Sequence, residues 1–596
     1  MKLERRLADL RAALKRRGLS GLLVPRADEH LNEYIPASAD RLRWLTGFTG
    51  SAGLAVVLGD RAAVFTDGRY QLQIRAEVDA ALFELRHAID EPADAWLAQT
   101  LKPGDRLGYD PWLHAEEALA KLRRAVDGAG AALVPVEPNP VDEVWTDRPP
   151  APASPVVPHS AVFSGEEAAA KRVRIGEAVA RAGAAAAVLT APDSIAWLLN
   201  IRGDDVPYNP VALAFALLGT DGQVTLFLDP AHIDPATRAH LGNGVTVEPR
   251  AALAPALDRL GAARAAVLVD PRTAPVWFAE RLRASGARVI AESDPVALPK
   301  AIKNTVEQAG ARAAHRRDAV AVCRFLAWLE RAAPAGGITE IAAAERLRAL
   351  RAEGERFRGE SFPAISGAGP NGAIIHYRAS EATNRPLAPG ELYLIDSGAQ
   401  YLDGTTDVTR TVLIGETAGE LAEMRDRFTR VLKGHIAIAT LRWPKGVAGP
   451  HVETMARRAL WDVGLDYDHG TGHGVGSYLS VHEGPTGLSR AALPIPLAAG
   501  MILSNEPGFY APGRWGIRLE NLLLVVDAPF PGAAKPFLGF ETLTLAPFDR
   551  RLIDPDLLTV SERSWIDTYH ARVAHEVGPL LDPADRMWLA AACRPL

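Results

Sequence analysis

Two proline-rich breaks constrain this chain before any other feature does. The first, DRPPAPASPVVPH from Asp147 to His159, carries five prolines. Proline fixes φ and has no N–H, so neither a regular helix nor a central strand can run through it. The second break, ESDPVALPKAIKN, runs from Glu292 to Asn304. A chain of 596 residues also exceeds what one hydrophobic core can organise. The breaks therefore predict three domains, 1–152, 153–299 and 300–596.

The first two segments show the same order of features. Each opens with a basic amphipathic helix ending at a glycine, Gly18 or Gly183. A short apolar strand follows and stops at proline, Leu22 to Pro25 and Ala185 to Pro192. A Trp-Leu pair comes next (Trp44-Leu45, Trp197-Leu198), and later a strand ending in Asp67 or Asp229. Alternating helices and strands predict α/β layers, and the shared order predicts a structural repeat. Ser164 with Glu167, and Asn304 with Glu307, have the spacing of capping boxes that open a helix after each break. GFTGSAG at 47–53 is glycine-rich but lacks the Gly-Lys-Ser/Thr of a phosphate loop.

Charge and cysteine usage narrow the partners. A net charge of −6 argues against a nucleic-acid surface. Two cysteines, Cys323 and Cys593, make a disulfide framework a poor fit and suit a reducing compartment. The opening MKLERRLADLRAALKRRGLSGLLV is a charged amphipathic helix rather than a signal peptide. No apolar run approaches a membrane span. A soluble, cytoplasmic protein is expected.

The unusual residues lie in the third segment, which reads as helices followed by paired strands, an α+β pattern. In ELYLIDSGAQYLDGTTDVTRTVLIG, two β-rich runs flank a turn at Asp403-Gly404 and predict a hairpin. Asp396 ends its first strand and Asp407 opens its second, roughly opposite one another. Carboxylates sharing one sheet face repel, and a bound cation removes the repulsion; taken singly, each reads more readily as a turn-capping aspartate. In ILSNEPGFYAPGRWGIRLENLLLVV, Glu506 ends an apolar strand and Glu520 lies within another. Period two puts Arg518 and Glu520 on one face. An ionised Glu there needs a partner, which Arg518 or a metal could supply.

HGTGHGVGSYLSVHEGP, His469 to Pro485, holds three histidines and five glycines. His469 and His473 have the spacing of a zinc helix, but each glycine at 470, 472, 474 and 476 would cost a helix about 1 kcal/mol. Gly470 also stands where an HExxH site needs its glutamate. Extended backbone remains, with glycine permitting positive φ or close approach. One imidazole and four carboxylates make a hard, oxygen-rich set suited to a pair of Mn²⁺, Co²⁺ or Zn²⁺ ions. Two such ions would share a bridging hydroxide and polarise a carbonyl, which is a hydrolase design.

These motifs resemble a known family. The last segment resembles the pita-bread metallopeptidases, and the whole chain is similar to the long, three-domain, cytosolic Xaa-Pro aminopeptidases (aminopeptidase P). The resemblance runs through FTGSAGLAVV, VWTDRPP, DSIAWLLNIRGDDVPYNP, IIHYRA, LIDSGAQYLDGTTDVTRT, HGTGHGVGSYLSVHEGP, SNEPGFY and GIRLEN. It implies two creatinase-like α/β domains, then an α+β pita-bread catalytic domain with a C-terminal extension. In that family's terms Asp396 chelates one metal, His473 and Glu506 bind the other, and Asp407 and Glu520 bridge both. His376, His469 and His482 line the substrate pocket, and Arg518 lies near the bound proline.

The implied reaction removes the N-terminal residue from peptides with proline second. Glu506 is its general base and proton shuttle, and His376 or His482 helps stabilise the oxyanion. The N-terminal domains would shape the cleft without metal chemistry of their own. The family suggests Mn²⁺, and relatives commonly dimerise through the catalytic domain, so a homodimer is expected. The competing readings are a prolidase acting on Xaa-Pro dipeptides, usually shorter, a creatinase-like enzyme, which does not keep the five ligands, and a non-catalytic binding module, which would be expected to lose ligands.

Overall fold

Each of the first two segments builds one six-stranded mixed sheet, and the two sheets share strand order and direction. In the first, Gly21–Pro25 pairs antiparallel with Leu54–Leu58, which pairs antiparallel with Ala62–Thr66. Parallel strands Glu84–His87, Arg106–Tyr109 and Ala132–Pro135 complete it. In the second, Ala186–Leu189, Phe215–Gly219 and Val224–Phe227 form the antiparallel centre, and Val245–Glu248, Ala266–Val269 and Arg288–Ala291 add the parallel strands. The expected repeat is thus present in the topology. It extends to the connections: Gly18 and Gly183 both take positive φ, +64° and +75°, just past their helices, a conformation that costs glycine least. Asp67 and Asp229 each cap a short 3₁₀ turn through the side chain.

The computed structural model describes residues 2–416 and 419–596. It packs as two units, one of Met1–Ala161 with Glu166–Ala297 and one of Val162–Gly165 with Leu298–Leu596. The first unit holds the two six-stranded sheets of the repeat. Among the described residues no helix is long and apolar enough to cross a membrane.

One of the two expected capping boxes forms. Asn304 accepts from the N–H groups of Val306 and Glu307, and Glu307 reaches back to the Asn304 N–H, opening the helix Thr305–Ala332. Ser164 does not cap. It closes a separate short helix, Ala161–Ser164, so it lacks the non-helical backbone of an N-cap. The next helix starts at Ala168 instead, with Glu167 as an N-cap that makes no side-chain bond.

In the second unit Thr305–Ala332 and Glu340–Ala352 back onto a three-stranded sheet ordered Ile365–Ala368, Leu392–Ser397, Val408–Leu413. Side chains of Leu392–Ser397 alternate between two cores. Tyr393 and Ile395 join the cluster of Phe325 and Leu347. Leu392 and Leu394 face the other way, into separate apolar clusters, and period two puts Asp396 on their side. A second, six-stranded sheet runs in the order Arg442–Pro444, Phe537–Thr542, Asn521–Asp527, Ile502–Asn505, Gly472–Gly474, Glu483–Leu488. A two-stranded ribbon, Gly508–Ala511 with Trp515–Arg518, lies in sequence between Ile502–Asn505 and Asn521–Asp527. The last helices, Val560–Val577 and Pro583–Ala592, bury Ile566, Val573 and Leu589 in the same core as Phe428 and Ile517.

Candidate metal centre

The strands that carry the acids meet at one place. In the hairpin, Asp396 is opposite Thr409, not Asp407. Continuing that register sets Asp407 opposite residue 398, so Asp396 and Asp407 are diagonal neighbours on one face. The chain between them builds a separate small sheet with Phe357–Glu360, and its tight turn is Leu402-Asp403, one residue before the expected Asp403-Gly404, because Gly404 pairs with Tyr401. Thr409 and Thr411, two and four residues past Asp407, share its face. The Thr409 hydroxyl donates to Glu520 Oε2 at 2.8 Å, and Thr411 bonds the Arg518 backbone. The Glu520 N–H donates to the Thr409 carbonyl at 3.2 Å. Glu520 itself sits at the break between Trp515–Arg518 and Asn521–Asp527.

His473 comes from the six-stranded sheet. Gly472, His473 and Gly474 are a strand, as the glycine spacing suggests, and none of Gly470, Gly472, Gly474 and Gly476 takes positive φ. The glycines serve close approach alone: a Cβ on Gly472 would run into the Ser504 carbonyl, and one on Gly474 into the Glu483 carbonyl. The His473 Nδ1 donates to the Gly474 carbonyl at 2.9 Å, which fixes the tautomer and leaves Nε2 as an acceptor or ligand. Nε2 lies 3.6 Å from Asp407 Oδ2 and 3.4 Å from Glu506 Oε1. Ser504 links the two elements, accepting from the His473 N–H at 2.9 Å and donating to Glu506 Oε1 at 3.1 Å.

The donor set fits a cation. Ligand atoms of Asp407, His473 and Glu520 lie within 4.8 Å of one another. Asp396 Oδ1 and Asp407 Oδ1 are buried with no hydrogen-bond partner, a costly state for carboxylate oxygens unless a cation takes them. Burial and neighbouring carboxylates push Asp407 and Glu520 well above the usual carboxylate range. Loss of hydration raises Glu506 to about 7, with Arg518 opposing it. A site that holds this much like charge, with Arg518 bonded to one oxygen of Asp396 alone among the acids, has the electrostatics of an ion-binding site.

Arg518 does not pair with Glu520. Its Nη2 donates to Asp396 Oδ2 at 2.7 Å and its Nη1 to the Tyr510 hydroxyl at 2.7 Å. Against burial, which lowers it, Tyr510, Asp396 and Glu506 raise the guanidinium's pKa. Tyr510 meets His469 Nε2 at 2.9 Å, and His469 Nδ1 meets the Gly470 carbonyl at 2.7 Å. The donors resolve in one direction: Arg518 to Tyr510, Tyr510 to His469, His469 to Gly470. His469 thus belongs to the chain that steadies Asp396. The His482 ring centroid is 4.3 Å from that of His473, edge to face. His376 lies past the 3₁₀ turn Gly369–Ala373, which packs on Trp515–Arg518 so closely that a Cβ on Gly516 would strike the Gly372 carbonyl.

Thr409, Thr411, Ser504 and Tyr510 were not singled out from the sequence. Three of them carried a signal: Thr409 and Thr411 lie at alternate positions to Asp407, and Ser504 to Glu506, so period two puts each on its acid's face. Tyr510 carried none.

Residues 309–527 match the model for metallopeptidase family M24, and residues 536–596 the C-terminal region of peptidase M24. Residues 6–144 and 147–307 each match a creatinase/prolidase N-terminal domain. The chain is 39% identical to aminopeptidase P2 of Arabidopsis thaliana, over 97% of this chain and 86% of that one. It is 41% identical to a probable Xaa-Pro aminopeptidase P of Laccaria bicolor, over 99% and 93%. Its structure superposes on the X-prolyl aminopeptidase of Caenorhabditis elegans, described as a cytosolic enzyme with a di-nuclear active site, with a TM-score of 0.95, 35% identity and full coverage of both chains.

Proposed function

Because the chain belongs to metallopeptidase family M24, we propose that it is an Xaa-Pro aminopeptidase, removing the first residue from peptides whose second residue is proline. The observation that carries this is the set Asp407, His473 and Glu520, both acids buried, with unpartnered oxygens on Asp396 and Asp407, in a chain similar end to end to aminopeptidases of that type. Two divalent ions, with Mn²⁺ as the favoured metal, would be held by Asp396, Asp407, His473, Glu506 and Glu520. When bound they supply Lewis acidity toward the scissile carbonyl and a deprotonated water at neutral pH.

The rest falls to the protein's own side chains. Glu506, whose Oε1 lies 3.4 Å from His473 Nε2, is placed to accept a proton and return it to the leaving proline nitrogen. His473 keeps its Nε2 aimed at the acids because Nδ1 is committed to Gly474. Arg518 holds one oxygen of Asp396 and leaves the other free. His376 and His482 are the imidazoles for the oxyanion and the substrate pocket, and His469 supports the Tyr510–Arg518 chain from behind.

The active form is a cytoplasmic homodimer on this reading. A mass from light scattering at micromolar concentration tests the dimer; elemental analysis of active protein tests metal number and identity. The activity itself is tested by offering Xaa-Pro-Yaa peptides beside Xaa-Pro dipeptides to metal-loaded protein. Cleavage confined to the dipeptides, or unchanged after chelation, would overturn the reading.

A further inference from the structure

His376 is carried by a segment with almost no regular structure. Between Ile365–Ala368 and Leu392–Ser397 the chain makes one 3₁₀ turn, Gly369–Ala373, and no other helix or strand. Backbone and side-chain polar groups in such a run must find partners elsewhere, and here a single buried carboxylate collects them. Glu340, the first residue of the helix Glu340–Ala352, is fully buried. Its oxygens accept from the Ala368 N–H at 2.7 Å, Asn371 Nδ2 at 3.0 and 3.1 Å, the Tyr377 hydroxyl at 2.9 Å and the Arg385 N–H at 2.9 Å. Multiple donors and the positive end of its own helix make a buried carboxylate tolerable.

The placement of those donors matters more than their number. Residues 368 and 371 precede His376, and residues 377 and 385 follow it. Tyr377, its chain neighbour, is held a second time: its hydroxyl accepts from Asn371 Nδ2 at 2.9 Å. On the opposite side the same segment is stopped by the strand bearing Arg518, where a Cβ on Gly516 would strike the Gly372 carbonyl. The backbone around His376 is therefore clamped between Glu340 and the wall of the metal centre. Docking of the segment does not itself need this carboxylate, since the Glu340 N–H already donates to the Arg385 carbonyl and the Leu387 N–H to the Ile338 carbonyl.

We propose that Glu340, acting through Tyr377 and Asn371, is a positioning residue for His376 and sets where that imidazole meets the substrate. The proposal rests on the reading of His376 as an oxyanion or pocket imidazole. An imidazole displaced by about 1 Å loses on the order of a hundredfold in rate, so the effect belongs in kcat.

The test is a set of double-mutant cycles on metal-loaded protein with an Xaa-Pro-Yaa substrate, using Tyr377→Phe, Glu340→Gln and His376→Ala. Tyr377→Phe should lower kcat roughly tenfold, and Glu340→Gln up to about a hundredfold, with KM and metal content nearly unchanged. Both should become almost silent in the His376→Ala background, where nothing is left to position. Equal fold-losses in both backgrounds, or full kcat in Tyr377→Phe and Glu340→Gln, would overturn the proposal while leaving the role of His376 intact. Unchanged kcat in His376→Ala alone removes that role, and this proposal with it. Should Glu340→Gln fail to fold, Tyr377→Phe, which deletes one hydroxyl, carries the cycle.

Discussion

At Asp318 a buried carboxylate takes both arms of the Arg351 guanidinium, at 2.8 and 3.0 Å, and the Tyr401 hydroxyl at 3.0 Å. At Asp407, in the same unit, one carboxylate oxygen has no hydrogen-bond partner and the neighbouring charges are Glu520, Asp396 and Glu506. Both acids are buried, at 3% and 4% exposure, so burial alone does not tell them apart. The difference lies in who surrounds them. The Asp318 cluster is complete within the protein and can only hold the fold. On the proposed reading a cation completes the Asp407 cluster, and its sheets keep the acids together against their repulsion.

The largest effect should come from Asp407→Asn. Turnover and metal binding should be lost, while the thermal midpoint of the metal-free protein should rise because a buried like charge is gone. Retained turnover, or a lower metal-free midpoint, would place Asp407 in the same class as Asp318. Arg351→Met should act in the opposite sense. It leaves Asp318 buried and unpaired, so urea denaturation should show a loss of about 3–5 kcal/mol, with metal content of the folded protein unaltered. Loss of metal from that variant would show the two clusters to be coupled.

A smaller change is expected where one cluster borrows the logic of the other. Tyr510→Phe removes the hydroxyl between Arg518 and His469. Metal affinity or turnover should fall about 10- to 100-fold, as is usual when the support of a ligand is removed. Isothermal titration with Mn²⁺ and steady-state kinetics would separate the two outcomes.

The smallest effect is a pH trend in metal-free protein. Asp407 and Glu520 are raised well above ordinary carboxylates, and Glu506 to about 7. The folded state therefore binds their protons more readily than the unfolded state. Their stabilising contribution is present at low pH and is lost as pH rises from about 4 through the folded values. The midpoint difference between chelated Asp407→Asn and chelated wild type should widen from pH 5 to pH 8, a comparison that cancels buried histidines such as His435. A constant difference would mean that Asp407 is not raised. Saturating metal should abolish the trend in wild type, since the carboxylates are then charged and paired.

Much of this contrast was legible in the sequence, and the legible part is local. Proline breaks, the capping box at Asn304, the glycines after each opening helix and the alternation that aims Asp396 away from Tyr393 and Ile395 all follow from φ restrictions, short-range hydrogen bonds and period two. The same locality explains the errors. Ser164 and Glu167 have the right spacing for a cap, but Ser164 is the last residue of a short helix and the next helix starts at Ala168. Glycine at 472 and 474 pointed to extended backbone, while its reason, the carbonyls of Ser504 and Glu483, lay in other strands.

What the chain alone determined is which side chains could bear charge, and on which face of which strand. What only the tertiary structure decided is which of those charges meet. Arg518 was free to pair with Glu520, two residues away on the same face, yet it reaches 122 positions back to Asp396. Asp318 was one helical acid among many until Arg351 and Tyr401 closed around it. Spacing along a chain fixes direction, because backbone geometry is short-ranged. Whether a buried carboxylate is neutralised by an arginine or left for a metal depends on packing between elements far apart in sequence, which local spacing does not encode.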